Sequence, residues 1–345
     1  MAFWGRRMTA IAETAPAKLN LYLHVVGRRP DGYHELDSLV AFAEVADRVT
    51  VQPGIARIAL RGVELPPVGP RLAISGPFGP VLMGENPAQN LVIRAAYALA
   101  GRLGREADAM IGLEKVLPVA SGIGGGSADA AATLRALARL WGVPVTDPLL
   151  YEVGAALGAD VPVCLAGRAC YFGGIGDMLD EAPALPETQV VLVNPGVPVP
   201  TPAVFKARTG GFSESTRFAE APTDAAALAT LLRERRNDLT APALTVAPVI
   251  ADSLAALEAT PGCLLARLSG SGATCFGLYA DAGEASAAAA AIQAAQPRWW
   301  VKAARLLPSP ADAPPLPKGI AAVPAAAVAP PPPVPFPDTG GWGVG

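Results

Sequence analysis

The chain has 345 residues, 51% of them hydrophobic and 17% charged, with a formal net charge of −3. This length accommodates two domains whose cores need no disulfide staples; no uninterrupted apolar run reaches the roughly 18 residues of a membrane-spanning helix, and the lack of a basic block argues against a nucleic-acid partner. Cys164, Cys170, Cys263 and Cys275 follow no paired spacing and have only His24 and His34 for company, so buried, reduced thiols in a cytoplasmic protein with a small-molecule partner are expected, rather than a zinc cluster.

Before Thr9 there is a possible leader with Arg6 and Arg7 but no apolar stretch of signal-peptide length, and either Met1 or Met8 could be the start. From Ala17 to His24 the residues alternate: Ala17, Leu19, Leu21 and Leu23 point one way, and Lys18, Asn20, Tyr22 and His24 the other. Such a strand is either an edge with a solvated lysine or a rigid support presenting it to chemistry. Pro30-Asp31-Gly32 is a turn signal that puts Tyr33 and His34 on the following loop.

The sharpest local signal runs from Pro118 through Val119, Ala120, Ser121, Gly122, Ile123, Gly124, Gly125 and Gly126 to Ser127 and Ala128. Leu134, Leu137, Ala138 and Trp141 then recur at helical spacing until Gly142, so the spacing predicts a helix capped by Ser127 and stopped by Gly142. Backbone amides of such a loop approach an anion closely, and the helix N-terminus adds about half a positive charge, which makes it a phosphate cradle. No lysine follows Gly126, which excludes a Walker A loop, and Ser127 stands where the dinucleotide fingerprint needs glycine. The protein-kinase signatures His-Arg-Asp and Asp-Phe-Gly do not occur.

Asp147-Pro148 reads as a helix start and Gly158 as its stop. Pro162 biases Val161 away from helical angles, so Ala159-Asp160-Val161-Pro162 is expected to be a short extended turn. The Asp160 carboxylate, set in an apolar run, is either a hydrogen-bonded structural group or a catalytic one. Strand-like and helix-like stretches alternate without an internal repeat, in favour of α+β or α/β. A boundary is expected near residue 170. From Pro308 to Gly345 the Pro/Ala-rich sequence, including Pro330 to Pro333, has no apolar period and is expected to be a disordered, solvated tail, with a proline-motif docking peptide as the alternative.

Together Pro16-Ala17-Lys18-Leu19-Asn20, the loop from Pro118 to Ser127, and Leu268-Ser269-Gly270-Ser271-Gly272-Ala273-Thr274-Cys275-Phe276 resemble, in order, the three motifs of the GHMP kinases. Gly32-Tyr33-His34, Gly158 to Pro162 and Pro200-Thr201-Pro202-Ala203-Val204-Phe205-Lys206 narrow the resemblance to the branch acting on a cytidine diphosphate-linked methylerythritol, over Thr14 to Leu307. It implies an α+β fold of two domains, 8–170 and 171–307, with the active site in the cleft between them. ATP would lie under the glycine loop with Mg²⁺ bridging its phosphates, and no protein metal site is implied. Asp160 becomes the base for the acceptor hydroxyl, and Lys18 with Asn20 positions that hydroxyl. Tyr33 and Phe205 would sandwich the cytosine, with His34 at the base edge and Thr201 nearby, while Asn90 and Lys115 correspond to adenine-side contacts. Gln89 departs from the aspartate that many relatives carry there. Another small-molecule kinase of this family, of the homoserine or mevalonate type, and a non-catalytic nucleotide-binding protein are the alternatives.

Overall fold

The computed structural model describes residues 10–54, 59–60, 63–64, 69–84, 86–310 and 312–320. The alternating segment lies within a longer strand, β1 (Ile11–Arg28), antiparallel to β2 (His34–Pro53) across the Pro-Asp-Gly turn. At that turn Asp31 Oδ1 accepts the Tyr33 amide. A two-residue pair, β3 (Ala59–Leu60) and β4 (Val63–Glu64), forms its own ladder. β5 (Arg71–Ser75), β6 (Ala109–Glu114), β7 (Cys170–Gly174) and β8 (Met178–Glu181) complete a six-stranded sheet in the order β5-β6-β2-β7-β8, with β1 on β2. Only the β5–β6 pair in it is parallel. The second sheet is antiparallel, built from β9 (Gln189–Asn194), β10 (Leu265–Leu268), β11 (Cys275–Tyr279) and β12 (Trp300–Arg305) in the order β10-β11-β9-β12.

The helices cover both sheets. In the first lobe these are α1 (Gly79–Met83), α2 (Leu91–Arg102), α3 (Gly125–Trp141), α4 (Pro148–Leu157) and α5 (Val161–Ala166), and in the second α6 (Thr201–Ala207), α7 (Ala225–Arg233), α8 (Thr240–Val246), α9 (Val249–Glu258) and α10 (Ala282–Ala295). One apolar core joins the first sheet to α2–α5, and another lies around the second sheet. A third core unites the lobes, with Leu19 and Leu21 of β1 packed with Leu192, Phe276 and Leu228. β1 is therefore buried from Ala15 to Val25; it pairs with β2 alone among the strands, but its other edge is covered by the glycine loop and by residues 236–238, so it is not an exposed edge. Its register shifts between Asn20 and Tyr22, so Leu21 is the extra residue of a bulge and Tyr22 joins the core with it. The molecule is a two-lobed α+β protein.

Several sequence expectations change. The helix after the glycine loop starts at Gly125, with Gly124 as N-cap in a left-handed conformation, so Ser127 lies in the first turn and caps nothing. Gly142 does end it, and Asp147 Oδ1 does cap α4 by accepting the Leu149 amide. Residues 161–166 form helix α5, with Asp160 itself at helical angles, in place of an extended turn. Pro162 sits in the first turn, where no intrahelical partner is needed for its nitrogen, so the bias before proline is overridden. The division expected near 170 shifts to between Glu181 and Gln189, because β7 and β8 pair into the first sheet. The expected tail also begins later than Pro308. Leu316 and Ile320 are buried in the first core, the Leu316 amide donates to Glu181 Oε1, and Arg168 donates to Pro314 O. The remainder of that tail, from 321, and the leader before residue 10 lie outside the described residues.

Candidate active site

A cleft of about 500 Å³ lies between the lobes, with the glycine loop on one wall and the 270–271 turn on the other. The loop is held from both sides. The Lys18 amide donates to Ile123 O from β1, and the Thr274 amide donates to Ser121 O from the turn before β11. Ser269 Oγ donates to Gly122 O and accepts the Asn20 amide, so one hydroxyl ties three segments together. Gly122 has a left-handed φ of 76°, and a Cβ on it would lie 2.5 Å from Ser269 O and 2.7 Å from Gly272 N. Gly124, at φ 65°, leaves room for the Lys18 side chain, whose Cε would be 3.2 Å from such a carbon. Glycine is thus required here for the approach of backbone to backbone and of loop to lysine. Val119, Ala120, Ser121, Gly122 and Gly124 to Ser127 line the cleft, whereas Pro118, Ile123 and Ala128, expected to bind the nucleotide, are buried behind it as packing.

Against the loop, Lys18 Nζ donates to Asn20 Oδ1 at 3.0 Å and to Asp160 Oδ2 at 3.1 Å. Lys18 is 4% exposed, but the Asp160 side chain is 34% exposed and opens toward the cleft. Asn20 Nδ2 in turn donates to Ser38 Oγ, which donates to Tyr22 O, and this fixes the amide orientation. The two residues that the sequence pairs across 142 positions therefore meet at one point, beside the phosphate cradle.

The base-side residues are arranged differently from the expectation. His34 stacks on Phe205, with ring centroids 4.9 Å apart and 21° between planes, while Tyr33 is 63% exposed; only Phe205 of the three lines the cleft. Burial, with help from Arg28 and Arg208, holds the His34 pKa below the ordinary imidazole value. Thr201 Oγ1 and Ser271 Oγ share a hydrogen bond across the cleft mouth. Asn90 lines the cleft but spends Oδ1 as the cap of α2, on the Val92 amide. Lys115, read as an adenine-side contact, lines the floor of the cleft beneath the loop and is paired with Asp47 and Asp129. Sequence reasoning missed Asp47, Ser38 and the buried role of Asp129; Asp47 lies beside Arg48 and near Glu44 in a strand of mixed polarity, so its own segment gave no signal. All four cysteines are free, and burial pushes the thiols of Cys164 and Cys275 up. No group of three or more His, Cys, Asp or Glu suited to a metal occurs among the described residues.

Residues 90–168 match the family model for the GHMP kinases N terminal domain, and residues 218–298 match that for GHMP kinases C terminal. The chain belongs to the GHMP kinase family. Within that family it is similar to proteins named 4-diphosphocytidyl-2-C-methyl-D-erythritol kinase. That of Paramagnetospirillum magneticum is 51% identical over 300 residues, 87% of this chain and 100% of the relative. That of Rhodospirillum rubrum is 49% identical, covering 88% of this chain and 95% of the relative. A crystal structure of a 4-(cytidine 5'-diphospho)-2C-methyl-D-erythritol kinase superposes with a TM-score of 0.66 at 35% identity, over 86% of this chain and 99% of the other. A homoserine kinase from Cytophaga hutchinsonii superposes at 0.64 with 17% identity over 89% and 98%, which is a likeness of fold.

Proposed function

We propose that the chain transfers the γ-phosphate of ATP to the 2-hydroxyl of 4-diphosphocytidyl-2-C-methyl-D-erythritol, a step of non-mevalonate isoprenoid precursor synthesis. The observation that carries this reading is the Lys18–Asp160 pair, which lines the cleft directly beside the glycine loop. The relatives supply the substrate, being similar over nearly their full length.

In this reading the amides of the loop and the N-terminus of α3 hold the triphosphate. Asp160 accepts the proton of the attacking hydroxyl as the new O–P bond forms and the bond to the departing ADP breaks. Lys18, braced by Asn20, keeps the carboxylate aimed and offsets charge growing on the hydroxyl oxygen. Phosphoryl transfer depends mostly on positioning and electrostatics, so an ordinary carboxylate suffices as base. Mg²⁺ would be carried chiefly by phosphate oxygens and water at the loop. When bound, that ion would neutralise charge on the phosphates. Phe205, with His34 against it and Tyr33 exposed beside the turn, offers aromatic surface for the cytosine.

The test is a phosphorylation assay offering the cytidylyl substrate, mevalonate and homoserine in parallel. Turnover is expected with the first alone. Asp160→Asn should lower kcat by about 10²–10⁴-fold with little change in KM. Near-normal kcat in that variant would remove Asp160 from the role of base, and turnover of mevalonate or homoserine instead would overturn the substrate.

A further inference from the structure

Beneath the glycine loop lies a charge cluster that the phosphoryl-transfer reading leaves unused. Lys115 Nζ donates to Asp129 Oδ2 at 2.8 Å and to Asp47 Oδ2 at 2.5 Å, so one ammonium serves two carboxylates, with all three side chains 4% exposed or less. Asp47 is fully used, since its Oδ1 accepts the Val116 and Leu117 amides. Asp129 is not: its Oδ1 is buried without a partner. The cluster backs the loop directly, because Lys115 Nζ is 3.0 Å from where a Cβ on Gly125 would stand, and Asp129 contributes to the cleft wall.

Fully ionised, the cluster holds one negative charge in excess, in an interior where charges interact far more strongly than in water. The ligand arriving on the other side of the loop is polyanionic. We propose that Asp129 takes up a proton from solvent at Oδ1 as the nucleotide triphosphate settles on the loop, leaving a neutral cluster behind the phosphates. This rests on the nucleotide reading of the loop. The only covalent change is the new O–H bond, with the proton drawn from water or buffer acid and returned on release. A neutral carboxyl oxygen without a partner is also less costly to bury than an ionised one. Asp129 is then a positioning residue, keeping Lys115 and the first turn of α3 in place while the charge above them changes.

The groups that bear on Asp129 come from every element packed on α3. Asp47 from β2 and Lys115 after β6 are in contact, Cys164 of α5 lies within electrostatic range, and Lys18 of β1 and Asp160 share the cleft. Of the charged residues on α2 and α4, Arg102 and Glu152 pair with each other at the surface, and Arg94 is the remaining one. Burial and Asp47 push Asp129 up, against the pull of Lys115.

Calorimetric titration of the full chain with Mg²⁺ and a non-hydrolysable ATP analogue, in two buffers of different ionisation enthalpy, counts protons taken up. At neutral pH the wild type is expected to take up a net fraction of a proton, at most about one, beyond the analogue's own titration. Asp129→Asn and Asp47→Asn, each leaving one carboxylate for one ammonium, should abolish that excess. Wild-type uptake equal to the analogue's own, or unchanged uptake in either folded variant, overturns the proposal. Absence of any analogue binding to the wild type would instead sink the nucleotide reading.

Discussion

Ending the chain at Leu307 is expected to destabilise it, although the removed sequence reads as a tail. The described part of that segment crosses the first lobe and buries Leu316, 9% exposed, and Ile320, 7% exposed. Full burial of a side chain of this size is worth about 1.5–3 kcal/mol, an upper figure for each. The released segment regains conformational freedom, but Pro308, Pro310, Pro314, Pro315 and Pro317 limit how much. Arg168 loses one acceptor and Glu181 one donor, both at part-exposed sites where such bonds contribute little. A net loss of about 1–3 kcal/mol follows, or a melting temperature lower by roughly 2–8 °C. Scanning calorimetry of the shortened and full chains measures it, and a full-length Leu316→Ser, Ile320→Ser double variant should reproduce most of the drop. Activity should persist at permissive temperature, because none of the described residues among 308–320 lines the cleft. If the shortened chain and the double variant both melt within about 1 °C of the parent, the two side chains contribute nothing and the reasoning fails.

Phe205→Ala should raise KM for the cytidylyl substrate by about 5–150-fold, the worth of one base-stacking ring, while kcat changes less; a drop confined to kcat would place the ring elsewhere in the mechanism. Gly122→Ala, whose new carbon meets Ser269 O at 2.5 Å in a left-handed conformation, should weaken nucleotide binding and lower the melting temperature together; unchanged calorimetric and thermal behaviour would contradict the close approach. His24 donates from Nδ1 to Glu214 O and accepts the Arg236 amide at Nε2, an arrangement open only to the neutral ring. Burial lowers its folded pKa, so the unfolded chain binds the proton first, and stability falls as pH drops below about 6.5 toward the folded value. Urea midpoints at pH 7.5 and 5.5 should therefore converge in His24→Gln relative to the parent; equal acid sensitivity in both would refute the assignment.

Local chemistry made much of the site legible. The glycine run, the Gly142 stop and the Asp147-Pro148 start all act within a few residues of themselves, whereas the segments of Lys18 and Asp160 left their roles open and only the resemblance to the GHMP kinases paired them. What escaped depended on distant partners. Asp47 shows its purpose only when β2 brings it under residues 115–117, and Ser269 only when the 269–274 turn reaches the loop from the far end of the chain. The Asp160 segment defied its proline because packing on α3 and α4 favours a helix there. Leu316 and Ile320, two apolar residues among prolines, form no periodic pattern, and only the surface they cover reveals them.

Stitching the glycine loop to β1 and to the 269–274 turn has a consequence for when its order is established. A free glycine-rich segment would surrender its mobility at the moment a ligand arrives, and affinity would be reduced accordingly. Here that loss belongs to folding, since Lys18, Ser269 and Thr274 fix the segment through hydrogen bonds within the protein itself. Ser269 and Thr274, set back from the cleft lining, thereby govern how tightly a nucleotide is held, and anything loosening the 269–274 turn should be felt first as weakened affinity.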